Sequence, residues 1–144
     1  MSTIPTLLVK LNGPSAKVPY KAHPDEDAGF DLVGTHDSTV KAFESATVDT
    51  QISLAIPKGF YGQLMTRSSM GKAGLRIHPG VIDSGYRGTI SVIIVNLTSR
   101  DYEVHAGDRV AQLLILPVPK IKVEVVTELP ESSRGEGSFG SSGK

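Results

Sequence analysis

"QISLAIP", Gln51 to Pro57, sets Ile52, Leu54 and Ile56 at every second position, with Ser53 and Ala55 between them. Successive side chains of a strand point to opposite faces, so this alternation describes a strand with one buried and one open face. The period recurs in "KIKVEVV", where Ile121, Val123 and Val125 share a face. Around these stretches, 15 glycines and 9 prolines cut the chain into short, β-branched segments, the pattern of many short strands. The expected strands are Leu7–Leu11, Phe30–Val33, Ser38–Val40, Ala46–Asp49, Ile52–Ile56, Tyr61–Met65, Thr89–Asn96, Tyr102–Val104, Arg109–Leu116 and Lys120–Val126. "SVIIVN" and "VAQLLIL" are apolar without alternation and are expected to lie between layers, buried on both faces. No stretch sustains a helical period; "SSMGKAG" after Arg67 predicts one short helix, capped by Ser68 or Ser69. The expected class is all-β, a closed barrel or a jelly roll that manages its edges by wrapping.

The composition bounds the rest. At 144 residues there is room for one core, and none for a second of comparable size. Lys and Arg together number 15 and are balanced by 15 Asp and Glu, so no global field points to nucleic acid or to an anionic membrane. Phosphate affinity must be local. Without cysteine there is no disulfide frame, thiolate metal site or cysteine nucleophile. The four histidines are scattered without an i,i+2 or i,i+4 pair, which argues against zinc. "MSTIPTLLVK" lacks a basic stretch followed by a long apolar one, so the expectation is an intracellular protein, cytoplasmic or nuclear, and not secreted. From Pro130 the chain turns Gly/Ser-rich, "PESSRGEGSFGSSGK". Such composition contributes little to a core, and the expected division is a β-barrel domain over 1–129 and a flexible arm over 130–144.

Four stretches and the arm carry candidate chemistry. "GVIDSGYRG" (Gly80–Gly88) puts Asp83 and Tyr86 on either side of the turn dipeptide Ser84-Gly85, read as a hairpin tip that holds a carboxylate and a ring in one pocket. "TRSSMGKAG" offers Arg67 and two hydroxyls. "AGFDL" sets Asp31 in a strand after the "PDED" loop, itself read as a solvated loop. "GDRVAQLLI" carries Gln112 in an otherwise apolar run, where an unpartnered amide is costly. In the arm, Arg134 supplies a planar fork for phosphate oxygens and Phe139 a face for a base.

In order along the chain, "AGFDL", "TRSSMGKAG", "GVIDSGYRG", "GDRVAQLLI" and "RGEGSFGSSG" resemble the five motifs of the trimeric deoxyuridine triphosphatase (dUTPase) family, from Ala28 to Gly143. Thr66 stands where the family usually has Pro, Ser69 where Gly is common, and Ser84-Gly85 where a more acidic pair often sits. The resemblance implies a jelly-roll-like β barrel forming a homotrimer whose active sites are shared between subunits, with the C-terminal arm closing over them. It implies Mg2+-dependent hydrolysis of dUTP to dUMP and pyrophosphate, which keeps uracil out of DNA and supplies dUMP for dTMP synthesis. Asp83 would be the general base for the water attacking the α-phosphorus. Gly80, Val81, Ile82 and Asp83 would read the uracil edge through backbone groups, and Tyr86 would pack on the deoxyribose. Arg67, Ser68 and Ser69 would hold phosphate oxygens; Gln112 would donate to the phosphate chain or order the water; Asp31 would approach the metal through water. Arg134 would reach the γ-phosphate, Phe139 would cover the uracil, and Gly140, Ser141 and Ser142 would complete the substrate contact. Asp108-Arg109 is read as structural. A deoxycytidine triphosphate deaminase, related in fold, needs a carboxylate on the strand after the turn, and "TISVIIVN" has none. A non-catalytic nucleotide-binding jelly roll is the other alternative, opposed by the combination of Asp83, Arg67, Gln112 and the arm.

Overall fold

The computed structural model describes residues 3–137. Its elements, in chain order, are β1 (Leu8–Leu11), β2 (Phe30–Val33), β3 (Ser38–Val40), β4 (Ser45–Ala55), β5 (Phe60–Met65), α1 (Ser68–Lys72), β6 (Leu75–Ile77), β7 (Gly80–Ile82), β8 (Thr89–Asn96), β9 (Tyr102–Val104) and β10 (Arg109–Pro117). They form a sheet ordered β1-β4-β8-β6, a second ordered β2-β10-β5-β7, and a ribbon of β3 and β9, a jelly-roll-like all-β barrel. Ile52, Leu54 and Ile56 enter the core as their alternation requires, together with Ile90, Val92 and Ile94 of β8 and Val110, Ala111 and Leu113 of β10.

The two segments expected at Ala46–Asp49 and Ile52–Ile56 are one strand. β4 runs through an irregularity between Asp49 and Ser53 in which Gln51 takes φ +53°, while the carboxylate of Asp49 accepts the Gln51 N–H at 2.8 Å. The extra backbone bend is absorbed locally, so Val48, Thr50, Ile52 and Leu54 all still point inward.

Elsewhere the sequence reading is corrected. β8 is not buried on both faces: Ile90, Val92, Ile94 and Asn96 are buried, whereas Ile93 is exposed, because the protomer covers only one face of this sheet. In β10 the buried set is Val110, Ala111 and Leu113, with Gln112 half-buried. Lys120–Val126 is not a strand; β10 ends at Pro117, and among the described residues no strand pairs with the chain beyond it. Its alternating apolar row points into solvent, Val125 at 94% exposure. A strand without a ladder partner has no backbone hydrogen bonds to hold it. The short helix forms where expected, but its N-cap is Arg67, without a side-chain capping hydrogen bond, so neither Ser68 nor Ser69 is spent on capping.

Two short strands, β6 and β7, went unread because His78-Pro79-Gly80 interrupts the stretch they share, and Pro and Gly read as turn signals. Asn96 is fully buried, and each of its polar atoms is satisfied. Its Nδ2 donates to the Val40 and Arg100 carbonyls at 3.0 and 2.7 Å, and its Oδ1 accepts from Thr98 N and Oγ1 at 3.0 and 2.8 Å.

Candidate active site

Most of the sequence-nominated residues fall into two clefts. The first is built around the middle of β10. Gln112 lies opposite Asp31 of β2 and Met65 of β5, and cross-strand partners share a face, so the three side chains rise in one row. Just past Met65 the chain turns into α1, bringing Arg67 back over that row. Its Nε donates to Asp31 Oδ1 at 3.1 Å, with only about a fifth of either side chain exposed. Arg109 approaches the other carboxylate oxygen at 3.7 Å. One carboxylate thus serves two guanidinium groups, which keep donors free for a further acceptor. Asp27, Ala28, Gly29, Asp31, Arg67, Ser68, Ser69 and Gln112 line a cleft of about 370 Å³. Arg67 Nη1 also reaches Ser69 Oγ at 3.4 Å, and Ser68 is exposed. Guanidinium donors and uncapped hydroxyls facing one hollow make a seat for oxyanions.

The second cleft lies between β7 and β8. The stretch Gly80–Gly88 is not a hairpin, because its two arms belong to different sheets: β7 pairs with β5, and β8 pairs with β4 and β6. Ser84-Gly85 does form a turn, closed by Tyr86 N donating to the Asp83 carbonyl at 3.1 Å, but Gly85 needs no left-handed backbone there. Since β7 ends its sheet, one row of its backbone N–H and C=O groups has no ladder partner. Leu64, Gly80, Val81, Ile82, Tyr86, Thr89, Ile90 and Ser91 line this opening, about 260 Å³ in volume. The Tyr86 hydroxyl donates to the Thr89 carbonyl at 3.3 Å and its ring rests against Gly88, where any Cβ would collide with it. Arg87 stiffens the turn by donating to the Ser84 and Tyr86 carbonyls at 2.7 and 3.1 Å. The ring therefore lines the pocket while Asp83, exposed, comes just after the lining strand without being part of it.

The protomer does not bring the two clefts together: they share no lining residue. Ile82 lies opposite Gly62 and Gln112 opposite Met65, on opposite sides of β5. Strand rise and spacing then separate Asp83 from Gln112 by about 13 Å along β5 and about 10 Å across it. Arg134 reaches neither cleft; its Nε donates to the Gly137 carbonyl at 2.6 Å within a turn of its own. Phe139, Gly140, Ser141 and Ser142 lie outside the described residues. The sequence reading missed Asp27 as part of the first cleft, taking it for a solvated loop residue, and missed Arg109 as a partner of Asp31, taking it for a structural residue. It also passed over Thr89 and Ser91. Only their place beyond "GYRG" could have hinted at them, since the approach of two sheets rather than residue type sets them across the cleft from β7.

An oxyanion seat and, on another part of the surface, a bare strand edge beneath an aromatic ring define a jelly-roll-like barrel protein with two chemically distinct clefts. Comparison with known proteins narrows this class. The dUTPase family model matches residues 15–143. A deoxyuridine 5'-triphosphate nucleotidohydrolase of Clostridium tetani is 41% identical over 142 residues, covering 96% of this chain and 97% of the relative. That of Paramecium bursaria Chlorella virus 1 is 41% identical over 139 residues, covering 96% and 98%. Among solved structures, a mutant of the Staphylococcus bacteriophage 80alpha dUTPase with dUpNHpp superposes with a TM-score of 0.89 at 31% identity, covering 96% of this chain and 99% of that one. A mutant dUTPase from phage phi11 of S. aureus, described as showing the coordination of a structural Mg(II) ion, gives 0.80 at 27% identity, covering 85% and 97%. The chain belongs to the dUTPase family.

Proposed function

We propose that this chain hydrolyses dUTP to dUMP and pyrophosphate at a site completed by more than one copy of itself. The carrying observation is the pair of clefts: one protomer holds an oxyanion seat and a ring-sized strand edge, too far apart for Asp83 to serve a phosphate lying against Gln112. A second copy that sets its β7 edge against the first copy's seat supplies what is missing. The exposed Ile93 face of β8 and the exposed row Ile121, Val123 and Val125 are apolar surfaces of the kind an oligomer covers. The number of copies and the arm follow the family: the reading is a homotrimer, with residues 130–144 as an arm closing the site through Arg134, Phe139, Gly140, Ser141 and Ser142.

In this mechanism the free backbone row of Gly80, Val81 and Ile82 pairs with the uracil edge. Backbone donors and acceptors cannot change sign, so a cytosine amino group meets the wrong partner and a thymine methyl has no room. Tyr86 occupies the space a 2′-hydroxyl would need. Arg67, oriented by Asp31, and the hydroxyls of Ser68 and Ser69 hold phosphate oxygens, Arg67 and Gln112 lining the same hollow. Asp83 takes a proton from a water in line with the α-phosphorus, and the water oxygen bonds to that phosphorus as the bond to pyrophosphate breaks.

Magnesium fits this donor set as a hydrated ion. Both Asp31 oxygens face guanidinium groups, and among the described residues no three His, Cys, Asp or Glu side chains cluster as a cage; an ion that keeps its waters and binds through phosphates needs none. Asp31 would hold it through water, and when bound it neutralises phosphate oxygens. The product dUMP is a precursor for dTMP, and removal of dUTP keeps uracil out of DNA. The test is pyrophosphate release with magnesium from dUTP, dCTP and dTTP side by side. Release from dUTP alone is expected. Ammonia from dCTP would instead favour the deaminase, and silence with all three a binding protein.

A further inference from the structure

Gln112 is held from two sides by residues to which no role has been given. Its Nε2 donates to the Thr66 carbonyl at 3.1 Å, and on its other side Gly29 has no Cβ, which would stand 2.7 Å from Gln112 Oε1. The reverse amide orientation would turn Oε1, an acceptor, toward the Thr66 carbonyl, a second acceptor, so the carbonyl decides which way the amide faces. That carbonyl is itself anchored. The Thr66 hydroxyl accepts the N–H of buried Ile77 at 2.9 Å, tying the end of β5 in one sheet to β6 in the other. The tie lies immediately before Arg67, which lines the oxyanion cleft.

We propose that Thr66 is a positioning residue. Its side-chain tie to Ile77 fixes the peptide whose carbonyl orients the Gln112 amide, leaving Gln112 Oε1 and its second N–H to the cleft, where they order the water and the phosphate chain. This rests on the hydrolase reading of the site. Thr66→Val keeps the shape and removes the acceptor, so kcat for dUTP should fall about tenfold with KM changed by less than about twofold. Thr66→Ser, which keeps the hydroxyl, should restore most of the loss. In a Gln112→Ala background Thr66→Val should change kcat by less than about twofold, because two residues acting through one contact are not additive.

A residue that merely supports the fold would lower the melting temperature and leave this pattern absent. An unchanged kcat, a failed serine rescue, or the same loss with and without Gln112 would each overturn the proposal. If Thr66→Val does not fold, Thr66→Ala also removes the hydroxyl, and its kcat loss should likewise vanish in the Gln112→Ala background; persistence there overturns the assignment. A readout independent of turnover is the Gln112 side-chain amide in 15N spectra of the full chain: its two protons should be unequally protected from exchange in the parent and equally exposed in Thr66→Val. Unchanged amide signals refute the positioning role, whereas a parent that shows them but releases no pyrophosphate refutes only the hydrolase reading.

Discussion

The two clefts are made of different materials. The cleft at β2, β5, α1 and β10 works through side chains: Asp31, Arg67, Ser68, Ser69 and Gln112 project into it, locked by an ion pair and by cross-strand placement. The cleft between β7 and β8 works through backbone, with Val81 turned outward at 66% exposure and the edge of β7 left bare. The first can bind any suitably spaced oxyanion and gains strength from charge. The second is weak in charge but strict in pattern, since its donors and acceptors cannot rotate. In the proposed reaction, binding strength and discrimination fall to separate surfaces, and a nucleoside triphosphate offers one end to each.

Substitutions should separate the two. The largest effect belongs to Asp83→Asn, which removes the base without changing shape; kcat should drop by about a thousandfold while a non-hydrolysable dUTP analogue still binds in a titration. Mixing that variant with Arg67→Ala under refolding should then restore activity to about a quarter of the parent sites, because in a closed oligomer some sites draw the intact residue from each copy. No recovery would place both clefts' work in one protomer. Arg67→Lys keeps the charge but loses the fork that Asp31 and a phosphate share, and kcat/KM should fall by about 30-fold. Val81→Ala, by contrast, should leave kcat/KM for dUTP and its ratio to dCTP within about twofold, since the proposed contact is made by the backbone, which the substitution keeps; a large loss would contradict the backbone-reading half of the comparison. Smallest of all, Gln51→Gly relieves a left-handed non-glycine residue that lines neither cleft, and stability in urea should rise by about 0.5 to 1 kcal/mol with turnover unchanged.

Legibility in the sequence divided along the same line. Arg67, Ser68, Ser69, Asp31 and Gln112 were legible because each is a polar residue out of place in its local pattern, and the structure gathers them in one hollow. Tyr86 was legible as a lone ring in a turn. The bare edge of β7 was not, because an edge is a property of what fails to pair, and the strand begins at the turn signal Pro79-Gly80. Ile93 misled for a related reason: an apolar residue on an open face reads the same whether a second layer of the protomer or another chain covers it. Lys120–Val126 carries a true strand alternation and yet forms no strand, since alternation reports a face to bury while hydrogen-bond partners come from elsewhere.

The amino-acid sequence by itself determined the all-β class, the inward set of Ile52, Leu54 and Ile56, and the kinds of side chain that would meet an anion. These depend on chemistry within a few residues and on the two-residue period of an extended chain. Tertiary structure alone decided that Gly80–Gly88 opens between two sheets instead of closing as a hairpin, and that Arg109 joins Arg67 on Asp31. It also decided that the two halves of the site stand apart in one protomer. Each of those depends on which strand lies beside which, a choice settled by how two sheets share one core.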